Sequence, residues 1–167
     1  MALCPKTNQP EQDLVFTPDY LAEEILKHYN PSGTMLEPCR GGGDFWAPMH
    51  NYTDEVRFCE ITEGLDFFDF NEHVNWIITN PPWSKIRQFL DHSFKLDVDN
   101  IVYLCNVNAF MTKARLRSIA ENGYGIKEFY CVKAPKTNWP QQGFQLAATH
   151  IQKGWEGSTK WSGSVGR

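Results

Sequence analysis

Apolar residues fall into short continuous runs, and the stretches between them carry apolar positions at helical spacing. Residues 74–78, Val-Asn-Trp-Ile-Ile, form a β-branched and aromatic run that leads into Thr79-Asn80-Pro81-Pro82-Trp83. No helix runs on into two prolines, so this run predicts a buried strand. Residues 101–105 are apolar without interruption and predict a central strand. Residues 34–37, 55–60, 126–133 and 144–152 predict four more. Leu21, Ala22, Ile25, Leu26 and Tyr29 recur at helical spacing. Thr17 is the expected N-cap of that helix, with Pro18 in its first position and Asp19 favouring its positive end. Residues 45–50 can start a second helix, and Ile86, Phe89, Leu90 and Phe94 mark a third that Ser84 can cap. A fourth spans about 112–121, with Ala114, Leu116, Ile119 and Ala120 inward and Lys113, Arg115 and Arg117 outward. Strands alternating with helices and closing on a strand pair predict an α/β fold with a mostly parallel sheet and helices on both faces.

Composition adds boundaries. The chain of 167 residues has the length of one domain. Residues 1–13 read as a flexible N-terminal arm, 14–153 as the folded domain, and 154–167 as a flexible Gly/Ser-rich tail in which Trp155 and Trp161 are unusual. No long apolar run is present, so neither a signal peptide nor a membrane span is expected. The five cysteines are far apart and form no CxxC pair, which points to thiols in a reducing, intracellular setting, cytoplasmic or nucleoid-associated. The histidines, at 28, 50, 73, 92 and 150, lack metal spacing, and no metal is expected. Charge is asymmetric. Residues 1–80 hold 14 acidic and 4 basic side chains, whereas residues 81–167 hold 6 and 12. Such a split hints at a polyanionic partner, and two solvated surfaces of opposite sign would give the same count.

Three predicted strand ends carry the conspicuous polar residues. The first ends in Glu37 and runs into Pro38-Cys39-Arg40-Gly41-Gly42-Gly43-Asp44-Phe45, where glycines let a ligand approach the backbone. The loop is neither a dinucleotide fingerprint nor a P-loop, because no Lys follows the glycines, and its acid argues for a cationic or hydroxyl-bearing ligand. The second strand ends in Glu60, placed as a ribose-binding acid is in doubly wound folds. Asp66-Phe67-Phe68-Asp69-Phe70 follows and can clamp an adenine ring or form an acidic loop with core aromatics. The third is Asn80-Pro81-Pro82-Trp83, which sets two oxygen acceptors beside a flat ring. Ligands in such sheets lie at the carboxyl ends of the strands, so the three ends share one edge.

Residues 37–45 joined with Asn80-Pro81-Pro82-Trp83 resemble the S-adenosylmethionine-dependent amino-group methyltransferases, in particular the adenine-N6 DNA methyltransferases. The resemblance spans roughly residues 14–153 and implies a Rossmann-like class I methyltransferase fold. It implies that Phe16, Thr17 and Pro18 cover the methionine moiety of S-adenosylmethionine, that Glu37, Pro38, Gly41, Gly43 and Phe45 surround its methionine end, and that Glu60 holds the ribose. By the same resemblance Asp66 and Phe67 contact the adenine, and Asn80, Pro81, Pro82 and Trp83 form the catalytic loop. Trp139, in a Trp-Pro-Gln turn, matches the aromatic that packs on the target base. Lys85, Arg87, Lys113, Arg115 and Arg117 are candidate contacts to nucleic acid, DNA first; a solvated helix face is the plainer reading of the last three.

The sequence departs from the family in two ways. Only residues 61–65 separate Glu60 from Asp66, where the family has a helix and a third strand, so about six strands are expected rather than seven. The sequence-reading domain of such DNA enzymes is also not recognisable, which implies relaxed specificity or a homodimer or partner subunit supplying target recognition. The expected activity is methylation of adenine N6 in DNA. The same four-residue loop occurs in enzymes that methylate adenine or guanine amino groups in RNA or a glutamine side chain in proteins, and a partner-dependent cofactor-binding subunit is the alternative that is not itself an enzyme.

Overall fold

The computed structural model describes residues 15–136, 139 and 143–163. The N-terminal arm expected over 1–13, and Asn138, Pro140 and Gln141 of the Pro-rich loop, lie outside the described residues. Seven strands build one sheet: β1 Met35–Glu37, β2 Val56–Phe58, β3 Trp76–Thr79, β4 Asn100–Asn106, β5 Tyr124–Cys131, β6 Leu146–Lys153 and β7 Lys160–Gly163. Their order is β2-β1-β3-β4-β6-β5-β7. β2, β1, β3 and β4 pair in parallel, and β6 runs antiparallel between β4 and β5. β4 occupies the middle of the sheet and is buried along its interior, as its unbroken apolar run predicts.

Alternation along the strands sorts the core into two layers. Leu36, Ile77, Ile101 and Tyr103 face one side, where α3 (Ile86–Lys95) and α4 (Lys113–Glu121) pack. Met35, Ile78, Val102 and Leu104 face the other, covered by α1 (Asp19–Tyr29) and the single turn α2 (Trp46–Met49). This is the expected Rossmann-like α/β fold with helices on both faces.

Several local expectations change. β2 and β3 are joined by two 3-10 turns, Ile61–Glu63 and Phe67–Asp69, and one bridge between Glu60 and Leu65, so the family's third strand is replaced by a compact loop. The count is nevertheless seven rather than six, because residues 160–163 form β7 in parallel with β5. The stretch expected to be a flexible tail thus contains an edge strand through its described part. Trp161 stacks on Phe129 with ring centroids 4.5 Å apart, which gives the Gly/Ser-rich segment the apolar anchor that its composition obscured. Helix α1 starts one residue late, with Pro18 at its N-cap and Thr17 buried in front of it. Ser84 lies inside a 3-10 turn, Trp83–Lys85, and α3 begins only at Ile86.

The face of α4 is rotated from its predicted setting. Ala114, Leu116 and Ala120 are exposed, Ile119 alone is buried, and Arg115 is half-buried rather than outward. Alanine fits either face, and the aliphatic stem of an arginine can cover apolar surface as well as a leucine does. Thr112 does cap this helix, its side chain accepting from the Arg115 N–H at 3.2 Å.

Candidate active site at the carboxyl edge of the sheet

The three strand ends singled out in the sequence meet at the carboxyl edges of β1, β2 and β3, as the topology requires. Glu37 closes β1 and is buried. Its Oε1 accepts the hydroxyl of Thr79 at the end of β3 and the Cys39 N–H at 3.2 Å, so one carboxylate links two strand ends. Burial raises its pKa to about 8, and the Thr79 and Cys39 donors offset only part of that. Cys39 bonds Thr79 Oγ1 at 3.0 Å and donates to the Asn80 carbonyl at 3.4 Å. Burial, then the neighbouring Glu37, push its thiol pKa well up, which makes it a packing residue rather than a nucleophile.

Glu60 fixes the glycine loop. Its Oε2 accepts the Gly41 N–H at 2.8 Å, and its Oε1 accepts the Thr62 N–H at 3.1 Å and the Thr62 hydroxyl at 2.6 Å. Gly41 and Gly43 take φ values of 53° and 93°, a region that favours glycine, so the glycines let the loop turn back beneath the strand ends. Arg40 leads into this turn, lies over the Phe58 ring at 4.1 Å, and pairs with Glu63 across it.

Two clefts open between these elements. The larger, of about 480 Å³, is lined by Pro38, Cys39, Glu60, Ile61, Asp66, Phe67, Phe68, Pro82, Lys85 and Phe89. The second, of about 250 Å³, is lined by Val15, Thr17, Glu37, Cys39, Arg40, Asp44, Phe45 and Asn80. Cys39 borders both, so they adjoin. The larger is mostly apolar, with Glu60, Asp66 and Lys85 among its lining; the smaller holds the two carboxylates of Glu37 and Asp44. Asp66 turns its carboxylate onto the Phe68 N–H at 2.9 Å, which sets Phe67 into the core and leaves Phe68 exposed at the cleft.

Of the catalytic-loop candidates, Asn80 lines the smaller cleft and Pro82 the larger, while Pro81 and Trp83 are among the lining residues of neither. The Asn80 amide is aimed by two hydrogen bonds: Nδ2 donates to the Val15 carbonyl at 3.1 Å, and Oδ1 accepts the Trp83 indole N–H at 3.2 Å. Pro81 and Pro82 are buried and Trp83 is half-buried. The Trp83 ring meets Trp139 edge to face at 6.0 Å, so the structure brings together the loop and the later aromatic.

The other predicted site residues scatter more widely. Phe16 is exposed and Pro18 half-buried, and neither is among the residues lining the two clefts. Gly43 lines a separate acidic crevice with Asp19, Glu23 and Asp44. Lys85 reaches the larger cleft. Arg87 is exposed and pairs with Asp91, while Lys113 and Arg117 are exposed on α4. Sequence reasoning missed Val15, Cys39, Arg40, Asp44, Ile61, Phe68 and Phe89 as lining residues. Single apolar residues carry no chemical signature, whereas Cys39, Arg40, Asp44 and Phe68, inside quoted motifs, could have been read there. Among the described residues no group of three or more His, Cys, Asp or Glu side chains could hold a metal, and no helix is long and apolar enough to cross a membrane.

No protein-family model matches the chain, and no curated protein matches it by sequence. Solved structures do match in fold. PH1948 from Pyrococcus horikoshii, provisionally described as an RNA methyltransferase, superposes with a TM-score of 0.69 at 16% identity, over 92% of this chain and 91% of that one. Magnesium protoporphyrin IX methyltransferase from Synechocystis, solved with bound S-adenosylmethionine, gives 0.58 at 10% identity, over 81% and 79%. The modification subunit of a type I restriction enzyme assigned in Vibrio vulnificus gives 0.65 at 13% identity; it covers 92% of this chain but only 48% of the larger protein. At these identities the likeness is one of fold, and the fold is that of the class I methyltransferases.

Proposed function

We propose that this protein transfers a methyl group from S-adenosylmethionine to the exocyclic N6 amino group of adenine in DNA. The observation that carries the reading is the aimed amide of Asn80. An amide oxygen has two acceptor positions. With one taken by the Trp83 N–H and Nδ2 committed to Val15, the other position of Oδ1 is oriented without any choice of rotamer.

The residues present fit the cofactor. The larger cleft offers Ile61, Phe68 and Pro82 to a purine and Glu60 at its rim to ribose hydroxyls, and the smaller offers Glu37 and Asp44 to an ammonium group. When bound, S-adenosylmethionine supplies an electrophilic methyl on a sulfonium sulfur. Asn80 Oδ1 and the Pro81 carbonyl accept the two N–H bonds of the target amino group, drawing its lone pair out of conjugation with the ring. Trp83 packs on the target base, a contact worth about 1–3 kcal/mol. As the nitrogen–carbon bond forms and the sulfur–carbon bond breaks, the amino nitrogen sheds one proton to solvent. Positioning and preformed acceptors supply the catalysis.

Asn80→Ala removes the oriented acceptor and should lower turnover at least about a hundredfold, as expected for loss of a preorganised polar group, while cofactor affinity stays within about threefold. Labelled methyl transfer to duplex DNA, single-stranded DNA, RNA and protein, with mass analysis of the product, tests the reading. N6-methyladenine in DNA supports it, and methylated glutamine overturns it. Transfer to an RNA amino group is the second reading, favoured by the match over 91% of the Pyrococcus protein. A partner subunit supplying target recognition accords with the type I modification subunits among the fold neighbours.

A further inference from the structure

The charge split along the sequence is also a split in space. In sheet order β2 and β1 lie on one side of β3, and β4, β6, β5 and β7 on the other, so the strands of the basic half occupy one side of the sheet, crossed on one face by α1 of the acidic half, whose Glu24 accepts the Tyr130 hydroxyl at 2.9 Å. Within that half the charges separate again along the strand axis. α3 and α4 begin at the carboxyl edge, which places Arg87 on the first turn of α3 and Lys113 and Arg115 on the first turn of α4. Lys133 and Lys136 follow the end of β5 at the same edge. The acids Asp97 and Asp99 precede β4, Glu121 closes α4, and Glu156 follows β6, all at the opposite edge. Asp91, paired with Arg87, and Glu128, held by His28 and Lys160, depart from this polarity, as do Lys95 at the end of α3, Lys153 at the end of β6 beside Asp97, and Lys127 and Lys160 at the starts of β5 and β7.

Two large apolar side chains stand exposed on the same edge. Phe144 is 59% exposed just before β6, and Met111 is 52% exposed after the turn that follows β4. Their segments are tied together by the Val107 N–H donating to the Gln145 carbonyl at 3.1 Å. Arg115 adds a third observation. Its guanidinium is half-buried beside Cys105 and Tyr103, burial lowers its pKa, and among the described residues no acceptor meets its buried Nη1.

Resting on the nucleic-acid reading above, we propose that this edge is a track for an unpaired strand: Phe144 and Met111 stack the bases flanking the target, and Arg115, Lys113 and Lys133 line its phosphates. Cations interleaved with exposed stacking surfaces are the arrangement that binds single strands without reading sequence. In a duplex the faces of the bases are occupied by one another, and recognition proceeds through hydrogen bonds at the base edges. Phe144 and Met111 can make no such bonds. A base already unpaired also reaches the Asn80 loop without the cost of being flipped out of a helix.

The test uses one adenine-containing sequence as single-stranded DNA, as duplex, as duplex with the adenine in an unpaired bubble, and as RNA. Methyl transfer should favour the strand and the bubble over the duplex by about tenfold or more in kcat/KM, and the DNA and RNA strands identify the sugar preferred. Phe144→Ala should raise KM for the single strand about fivefold or more and leave kcat within about twofold, and Phe144→Tyr should restore it, because a ring is what the flanking base needs. Equal use of duplex and strand, or an unchanged KM in Phe144→Ala, overturns the track. Fluorescence anisotropy with the unmodified strand separates the two ideas. Salt-sensitive binding that Phe144→Ala weakens, with no nucleic acid methylated, keeps the track and removes the methylation reading; no binding of the strand removes the track.

Discussion

The two sides of the carboxyl edge solve different problems with opposite charge. On the β1–β2 side every conspicuous carboxylate is already engaged: Glu37 with Thr79 and Cys39, Glu60 with Gly41 and Thr62, Asp66 with Phe68. Glu37 and Glu60 are buried, and the clefts they border are narrow. On the β4–β6–β5 side Arg87, Lys113, Lys133 and Lys136 stand in solvent. The first side is preorganised, with acceptors held before any ligand arrives. The second is an open field that attracts at a distance and adapts on contact. A small molecule of fixed shape suits the first, and a long flexible polyanion suits the second. Asn80 directly follows β3, at the boundary between them.

That contrast can be broken at specific residues. The largest effect is expected from Glu60→Ala, which strips three donors of their acceptor at the base of the glycine loop. Leaving such groups unsatisfied costs about 1–3 kcal/mol each where they are buried. The variant should therefore melt lower and bind S-adenosylmethionine at least about tenfold more weakly in a calorimetric titration, with single-strand affinity little changed. Equal loss of both ligands would mean that the two sides are one coupled unit.

Glu37→Gln comes next, and its effect depends on pH. The folded-state pKa of about 8 lies above the ordinary value of 4.5, so the folded protein keeps a proton that the unfolded chain releases. The stability associated with this group is complete below pH 4.5 and is lost as pH rises towards 8, by at most about 1.4 kcal/mol per pH unit for one proton. Denaturant melts from pH 5 to 8 should show that decline in the wild type and a flatter profile in Glu37→Gln. An ammonium group in the smaller cleft would favour the ionised carboxylate, so cofactor binding below pH 8 should release a proton. Calorimetry in buffers of different ionisation enthalpy measures it directly.

The smallest effect belongs to the basic side. Arg115→Gln should lower the dependence of log affinity for a single strand on log salt by about 0.7, the share of one phosphate contact, with cofactor affinity unchanged. A shift in cofactor affinity instead would assign Arg115 to the packing between α3 and α4.

The residues that were legible in the sequence are those whose chemistry or period is unambiguous. The apolar run of β4 placed it at the centre, the spacing in α1 and α3 identified their buried faces, and the polar strand ends at Glu37, Glu60 and Asn80 marked one edge before any topology was known. What escaped was decided by tertiary context. Ile61 and Phe68 line a cleft only because a compact loop replaces a strand and a helix. Arg115 turned inward because its three-methylene stem and the alanines leave a short helix free to rotate. The oxygen of Asn80 was expected to serve the substrate alone, and its bond to Trp83 could be seen only once the 3-10 turn had brought the indole back over the loop.

Strand β7 carries a consequence for biosynthesis. It closes the outer edge of β5 by parallel pairing from Glu128 to Cys131, and a Cβ at Gly163, where φ is 87°, would come within 2.1 Å of the Cys131 carbonyl. β5 and β6 can pair before residues 160–163 dock. For that interval the backbone of β5 and the ring of Phe129 present an unpaired strand edge to every neighbouring chain. β7 therefore covers an edge that would otherwise template other chains, and expression as a truncation before residue 160 should convert a folded product into an aggregating one.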